Sequence, residues 1–390
     1  MDNFTFCSPT YFAFGKGKEN DTGMYVRRFG GSRVLLHYGG GSVVRSGLLD
    51  RVKASLDKEG ITYVELGGVQ PNPRSGLVYQ GIDLCRKEKV DFVLAVGGGS
   101  TIDSAKAIAV GTCYEGDFWD MYCGKVVFKK ALPVASVLTI AAAGSEASHG
   151  SVITHEEGMY KRAYDCEVLR PVFAIMNPEL TCTLPPYQTA CGCVDIMAHV
   201  FERYFTNTQN VEITDQLCEG ILRTIISQLP LALENPNDYD VRANIMWAGT
   251  LAHNDVCGVG RRQDWASHNI EHELSALYDC AHGAGLAVIF PAWMRYVMHQ
   301  DIPRFVRFAV QVWGCELDES NPEATALEGI ARTKAFFKRV GMPTSFRELG
   351  AKEEDIPKLL EQLQIDGRTL GSFVPLDREG CEAVYRLACE

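Results

Sequence analysis

The sequence predicts two units in tandem, an α/β unit with a parallel sheet over residues 1–185 and an all-helical unit over residues 186–390. Three observations carry this. Between about residues 30 and 180, short apolar runs ending in glycine alternate with amphipathic stretches, the pattern of strand, tight turn and helix. Beyond Pro185-Pro186 the apolar residues recur at three- and four-residue spacing, as at Ile213, Leu217, Ile221, Ile225 and Leu229, and strand-like runs disappear. A length of 390 residues also suits two domains of ordinary size.

Taken in order, residues 4–14 are aromatic and strand-like, and on a single copy they would leave an apolar edge exposed. This predicts a homodimer, unless those aromatics fold onto their own domain. Arg33–Tyr38 is the next strand and ends at Gly39-Gly40-Gly41-Ser42. Leu48, Leu49, Val52 and Leu56 share one face of a helix that leads to a strand at Thr62–Leu66. Phe92–Val96 runs into Gly97-Gly98-Gly99-Ser100, and Pro133–Leu138 and Val172–Met176 complete the expected strands.

Composition narrows the function. The formal net charge of −11 with no concentrated basic face argues against a nucleic-acid partner. No apolar run is long enough to span a bilayer, and the N-terminus has no signal-peptide pattern. Fourteen scattered cysteines without a CxxC pair read as small reduced core residues, and a cytoplasmic protein is expected.

Val96–Lys106 reads as strand, glycine turn and helix start, where close backbone approach and free N–H groups suit a pyrophosphate. A plain βα turn needing positive φ is the alternative, and the spacing is not GxGxxG. At the end of the strand Arg33–Tyr38, Gly39, Gly40, Gly41 and Ser42 stand where an acidic side chain would grip the ribose of NADH and repel a 2′-phosphate. With Arg45 nearby, this predicts NADP(H), although a purely structural turn stays open. The segment Thr139–Glu146 leaves a further strand through small residues, as a loop brushing a cofactor would.

Asp195 and His199 are four apart, as are His268 and His272, so each pair shares a helix face. His282 lies in a small-residue break before another apolar helix. One carboxylate with imidazoles, leaving a position for substrate, suits a divalent iron or zinc centre acting as a Lewis acid. Any one of these histidines alone would more often be a hydrogen-bonded core residue. His37, His149, His155, His253 and His299 lack such company and read as structural or exposed.

Together these motifs resemble the iron-containing (group III) alcohol dehydrogenase family, in its butanol dehydrogenase and NADPH-dependent aldehyde reductase branch. The resemblance spans nearly the whole chain. It is carried by Pro71-Asn72-Pro73-Arg74, by Gly97–Ser100 with Asp103 and Lys106, and by Gln263–His268 followed by His272 and His282. It implies a dehydroquinate synthase-like two-domain architecture with the cofactor and metal in a cleft between the halves, and dimers built through the N-terminal segment. It implies Asp195, His199, His268 and His282 as metal ligands, Fe2+ before Zn2+, and His272 as a catalytic non-ligand near a small alcohol or aldehyde. For the cofactor it implies the loop Gly97, Gly98, Gly99, Ser100 and Thr101, with Asp103, Thr139 and Lys161. The chain departs from the family's usual pattern at Ala143, where threonine is common, and at Asn177-Pro178, where Asp-Pro is usual. A glycerol-type dehydrogenase on the same plan, or a non-catalytic homologue, are the rival readings.

Overall fold

A computed structural model describes all 390 residues, and they separate into two compact units, Cys7–Thr183 and Leu184–Glu390 joined by Met1–Phe6. The N-terminal six residues, expected within the α/β unit, thus pack with the helical one. The Met1 ammonium donates to Gln209 O, Asp2 N–H donates to Gly260 O at 2.8 Å, and Thr208 Oγ1 donates to Asp2 Oδ2.

The first unit runs β1 (Tyr11–Phe14), α1 (Thr22–Arg28), β2 (Arg33–Gly39), α2 (Ser42–Arg45), α3 (Leu48–Lys58), β3 (Thr62–Val69), α4 (Ser75–Glu88), β4 (Phe92–Gly97), α5 (Gly99–Thr112), α6 (Trp119–Tyr122), β5 (Val134–Leu138), β6 (Gly150–His155), β7 (Tyr160–Asp165) and β8 (Phe173–Met176). Six strands form one sheet in the order β1-β8-β5-β4-β2-β3, every neighbour parallel. A strand covered on both faces must be apolar throughout, and β4 and β5 are buried at every position. The strand expected over residues 4–14 is confined to Tyr11–Phe14, because Phe4 and Phe6 are exposed and Pro9 interrupts. The antiparallel pair β6-β7 was not expected.

The second unit is helical: α7 (Pro186–Tyr204), α8 (Glu212–Glu234), α9 (Tyr239–His253), α10 (Ala266–Tyr278), α11 (His282–Val297), α12 (Ile302–Trp313), α13 (Pro322–Arg339), α14 (Phe346–Leu349), α15 (Ile356–Gln362) and α16 (Arg378–Leu387). Of the apolar series on α8, Ile221, Ile225 and Leu229 are buried, but Ile213 and Leu217 at its start are exposed. α7 is buried along most of its length and is the inner helix of this unit. No helix is long and apolar enough to cross a membrane, and all fourteen cysteines are free thiols.

Candidate active site and metal centre

Helix α7 places Asp195 and His199 one turn apart, α10 carries His268 and His272, and α11 opens with His282. Donor atoms of Asp195, His268 and His282 all lie within 4.8 Å of one another. Donors around a divalent ion with bonds of about 2.1 Å sit about 3.4 Å apart, so modest side-chain rotation closes this set. His199 stands beside the triple, its ring 4.8 Å from that of His268 and its Nδ1 3.3 Å from Asp195 Oδ1. His272 is buried with its ring 5.5 Å from that of His282, and forms a second group with Glu271 and His282.

The tautomers are set by what each Nδ1 meets. His199 Nδ1 donates to the Asp195 carbonyl at 2.9 Å, since a carbonyl only accepts. His268 Nδ1 donates to Glu202 Oε1 at 2.7 Å, and His282 Nδ1 donates to Glu271 Oε2. All three imidazoles therefore carry their lone pair on Nε2. The Nε2 of His268 is buried without a hydrogen-bond partner, which costs about 1–3 kcal/mol unless something accepts that lone pair. A divalent cation fits it. Burial above all, with the neighbouring Arg203 guanidinium adding to it, holds His199 well below the ordinary histidine range, which keeps it neutral and able to ligate. His282 has 24% of its side chain exposed while Asp195, His199 and His268 have 6%, so the group opens on the His282 side.

His253, expected to stand apart, lies with its ring 4.2 Å from His199. Its Nδ1 accepts from the Arg203 guanidinium at 2.9 Å, which puts the proton on Nε2 and makes it a poor ligand. His37 is a satisfied core residue, held between Leu66 O and Ser104 Oγ.

In the α/β unit, α5 starts at the end of β4 with Gly98 as its N-cap. None of Gly97, Gly98 and Gly99 has positive φ, so a plain turn requirement does not explain them. Room does. A Cβ on Gly97 would lie 2.4 Å from Thr101 Oγ1, and one on Gly98 would lie 2.3 Å from Ile140 Cγ2. Ser100 and Thr101 form the first turn of α5, Thr101 buried, and the Thr139 N–H donates to Gly97 O at 3.1 Å. Asp103 turns its carboxylate to Ser145 Oγ and the Val152 N–H, which ties α5 to the following loop and to β6. Lys161 Nζ donates to Asn72 Oδ1 at 3.0 Å, and Asn72 holds left-handed backbone in the Pro71–Arg74 segment. At the first loop, Gly41 has φ of 115° and Arg45 Nη1 lies 3.3 Å from where its Cβ would be, so the guanidinium lies beside Gly41.

The chain matches the model of iron-containing alcohol dehydrogenase over residues 9–178, and that family's C-terminal model over residues 189–389. It belongs to the iron-containing alcohol dehydrogenase family. NADH-dependent butanol dehydrogenase A of Clostridium acetobutylicum is 41% identical over 388 residues, 99% of both chains. NADPH-dependent aldehyde reductase YqhD of Escherichia coli is 39% identical over 392 residues, 100% of both. The crystal structure of NADH-dependent butanol dehydrogenase A of Thermotoga maritima superposes with a TM-score of 0.97 at 43% identity, covering 100% of this chain and 99% of that one. The activity is that of an alcohol dehydrogenase or aldehyde reductase.

Within this dehydrogenase the departure at Asn177 has a physical reason. Its amide donates to Glu19 Oε2 at 3.0 Å and to Glu179 Oε2 at 3.3 Å, where an aspartate would face two carboxylates. The sequence reading missed Glu202, Glu271 and Asp264. Glu202 follows His199 by three and Asp195 by seven, so helical spacing alone puts it on their face of α7. Asp264 accepts from the Ser372 and Phe373 N–H groups, and burial, then the charge of Glu202, push its carboxyl up to about 7.

Proposed function

We propose that the enzyme uses NADP(H) and one divalent metal, Fe2+ first and Zn2+ as the alternative, to interconvert a small primary alcohol such as butanol and its aldehyde. The observation that carries the metal reading is the common tautomer of His199, His268 and His282, together with the buried Nε2 of His268. Asp195, His199, His268 and His282 would hold the ion. When bound it supplies Lewis acidity to the substrate oxygen, and the nicotinamide exchanges the hydride. His272 is proposed to hand the alcohol proton towards water from its place beside His282.

The cofactor would lie against Gly97, Gly98, Gly99, Ser100 and Thr101, with Thr139 and Lys161 near the nicotinamide half and Asp103 bracing the loop. NADP(H) is favoured because residues 37–47 contain no carboxylate and Arg45 lies beside Gly41 in the turn Gly39, Gly40, Gly41 and Ser42. The named relatives divide between NADH and NADPH, and the proposal is that this loop sets the preference here. A cytoplasmic homodimer is proposed, paired through β1, which forms the outer edge of the sheet and leaves Tyr11 exposed.

The test is metal analysis of enzyme purified without air, with kcat/KM for butyraldehyde measured with NADPH and NADH. One equivalent of metal and higher kcat/KM with NADPH are expected. Asp195→Asn and His268→Ala should lose activity by orders of magnitude while the α/β unit stays folded. Near-normal turnover and metal content in either variant would sink the ligand set. Higher kcat/KM with NADH would sink the loop reading, and a monomer on sedimentation at micromolar concentration would sink the dimer.

A further inference from the structure

We propose that Glu202 is a positioning residue that presents His268 to the metal by fixing both its tautomer and the start of helix α10. The proposal rests on the assignment of the metal to the Asp195–His199–His268–His282 group. Glu202 lies on α7 and is fully buried. Its Oε1 accepts from His268 Nδ1 at 2.7 Å and from the His268 N–H at 3.0 Å, and its Oε2 accepts from the Trp265 N–H at 2.6 Å. Its backbone carbonyl accepts the Asp264 N–H at 2.8 Å.

A helix begins with N–H groups that have no intrahelical partner, and they need acceptors when buried. Locally, α10 has only the Asp264 carboxylate, which accepts from the Ala266 N–H at 3.2 Å. Trp265 occupies the N-cap position in left-handed backbone, φ 70°, with no capping side chain of its own. The carboxylate of Glu202, reaching across from another helix, takes that role and accepts from the imidazole of the same segment. An unpaired buried carboxylate would be costly, and here it faces three donors and the positive end of α10. One side chain therefore links the α7 ligands to the α10 ligand. A carboxylate behind a ligating histidine holds the ring's orientation and raises its basicity, and losing such a partner typically weakens metal binding ten- to a hundredfold.

The test strips the full-length enzyme of metal with a chelator and titrates it with Zn2+ against a competing dye, and with Co2+ followed by its visible absorption. Glu202→Gln keeps the volume but cannot accept at both ends, so its Zn2+ dissociation constant should rise ten- to hundredfold, with an altered Co2+ spectrum. A purely structural cap would lower the melting temperature of the metal-free protein and leave the constant of the folded fraction unchanged. A constant within threefold of wild type overturns the proposal. If Glu202→Gln does not fold, imidazole 15N shifts of the metal-free wild-type enzyme decide, with the His268 signals assigned by their loss in His268→Ala. A fixed Nδ1–H tautomer supports the proposal, and an Nε2–H or exchanging ring overturns it. His268→Ala also separates the two levels. If it binds Zn2+ as tightly as wild type, the metal assignment itself is wrong and the role of Glu202 falls with it.

Discussion

Gly283→Ala should open the metal group without touching any proposed ligand. Gly283 directly follows His282 at the start of α11, and a Cβ there would lie 2.0 Å from Cys191 O, 2.7 Å from its carbonyl carbon and 3.0 Å from its Cα. These are backbone atoms of α7, so no side chain can swing away to make room. Relief to an acceptable contact needs α11 to retreat from α7 by about 1 Å. Asp195 sits one turn beyond Cys191, and His282 moves with α11, so the retreat pulls His282 from Asp195. Ligand distances hold to about 0.2 Å in a working site, and a misplacement of about 1 Å at a catalytic group costs on the order of a hundredfold in rate. Overpacking adds about 1–3 kcal/mol of destabilisation. The expected outcome is at least tenfold weaker metal retention, kcat down about a hundredfold and a lower melting temperature. Metal content by mass spectrometry, steady-state kinetics and thermal unfolding measure these. Full metal content with turnover within twofold of wild type would show that the close approach of α11 to α7 does not set the site.

Gly220→Ala is the contrasting case, because a Cβ in that interior turn of α8 meets nothing within 4 Å. It should stabilise the protein by about 0.4–1 kcal/mol with kinetics unchanged, and a drop in melting temperature would contradict the packing described. Gly39→Asp should move cofactor preference towards NADH by about ten- to a hundredfold. The position tolerates a side chain, with Val69 O and Thr101 Oγ1 at 3.5 and 3.8 Å from the added Cβ, so unchanged selectivity ratios would refute the loop's role rather than report misfolding. His37, whose neutral ring donates to Leu66 O, has its pKa lowered by burial to about 4 from 6.5. The folded state binds the proton less well than the unfolded one, so stability is present above about pH 6.5 and declines by about 3 kcal/mol as pH falls towards 4. A His37→Gln variant, less stable at neutral pH, should show a flatter profile in urea unfolding, and an equally steep one would remove His37 as the cause.

Much of the fold was legible because buried parallel strands and amphipathic helices write themselves into the chain in different periods. Runs such as Phe92–Val96 announce β4, and Asp195 and His199 fall on a helix that begins after Pro185-Pro186. The hairpin β6-β7 escaped notice because its polar and charged residues alternate with few large apolar ones, and β7 buries only one of its six positions. The fate of Met1–Phe6 was illegible for another reason. Its anchoring depends on Gln209, Thr208 and Gly260, more than 200 residues away, and no local pattern encodes such a partner. The glycines of Gly97–Gly99 fall where the sequence places them, at the end of β4, but the alternative of a plain turn needing positive φ does not hold. Their φ angles are ordinary, and the demand for glycine comes from Thr101 and from Ile140 arriving on a different strand's loop.

The same division runs through the metal group. Spacing brings Asp195 to His199 and His268 to His272, since those pairs lie within single helices, and it equally places Glu202 on the face of α7 that carries the first pair. What spacing does not carry is which ring nitrogen keeps its lone pair. That is decided by acceptors on other elements or on the backbone: Glu202 of α7 for His268 of α10, Glu271 of α10 for His282 of α11, and the Asp195 carbonyl for His199. His253 shows the consequence in reverse. It lies nearer His199 than any proposed ligand ring does, yet Arg203 donates to its Nδ1 and reverses the tautomer, so proximity does not make it a ligand. In a group of five adjoining imidazoles, the residues fit to hold a cation are distinguished by what sits behind each ring rather than by the rings themselves.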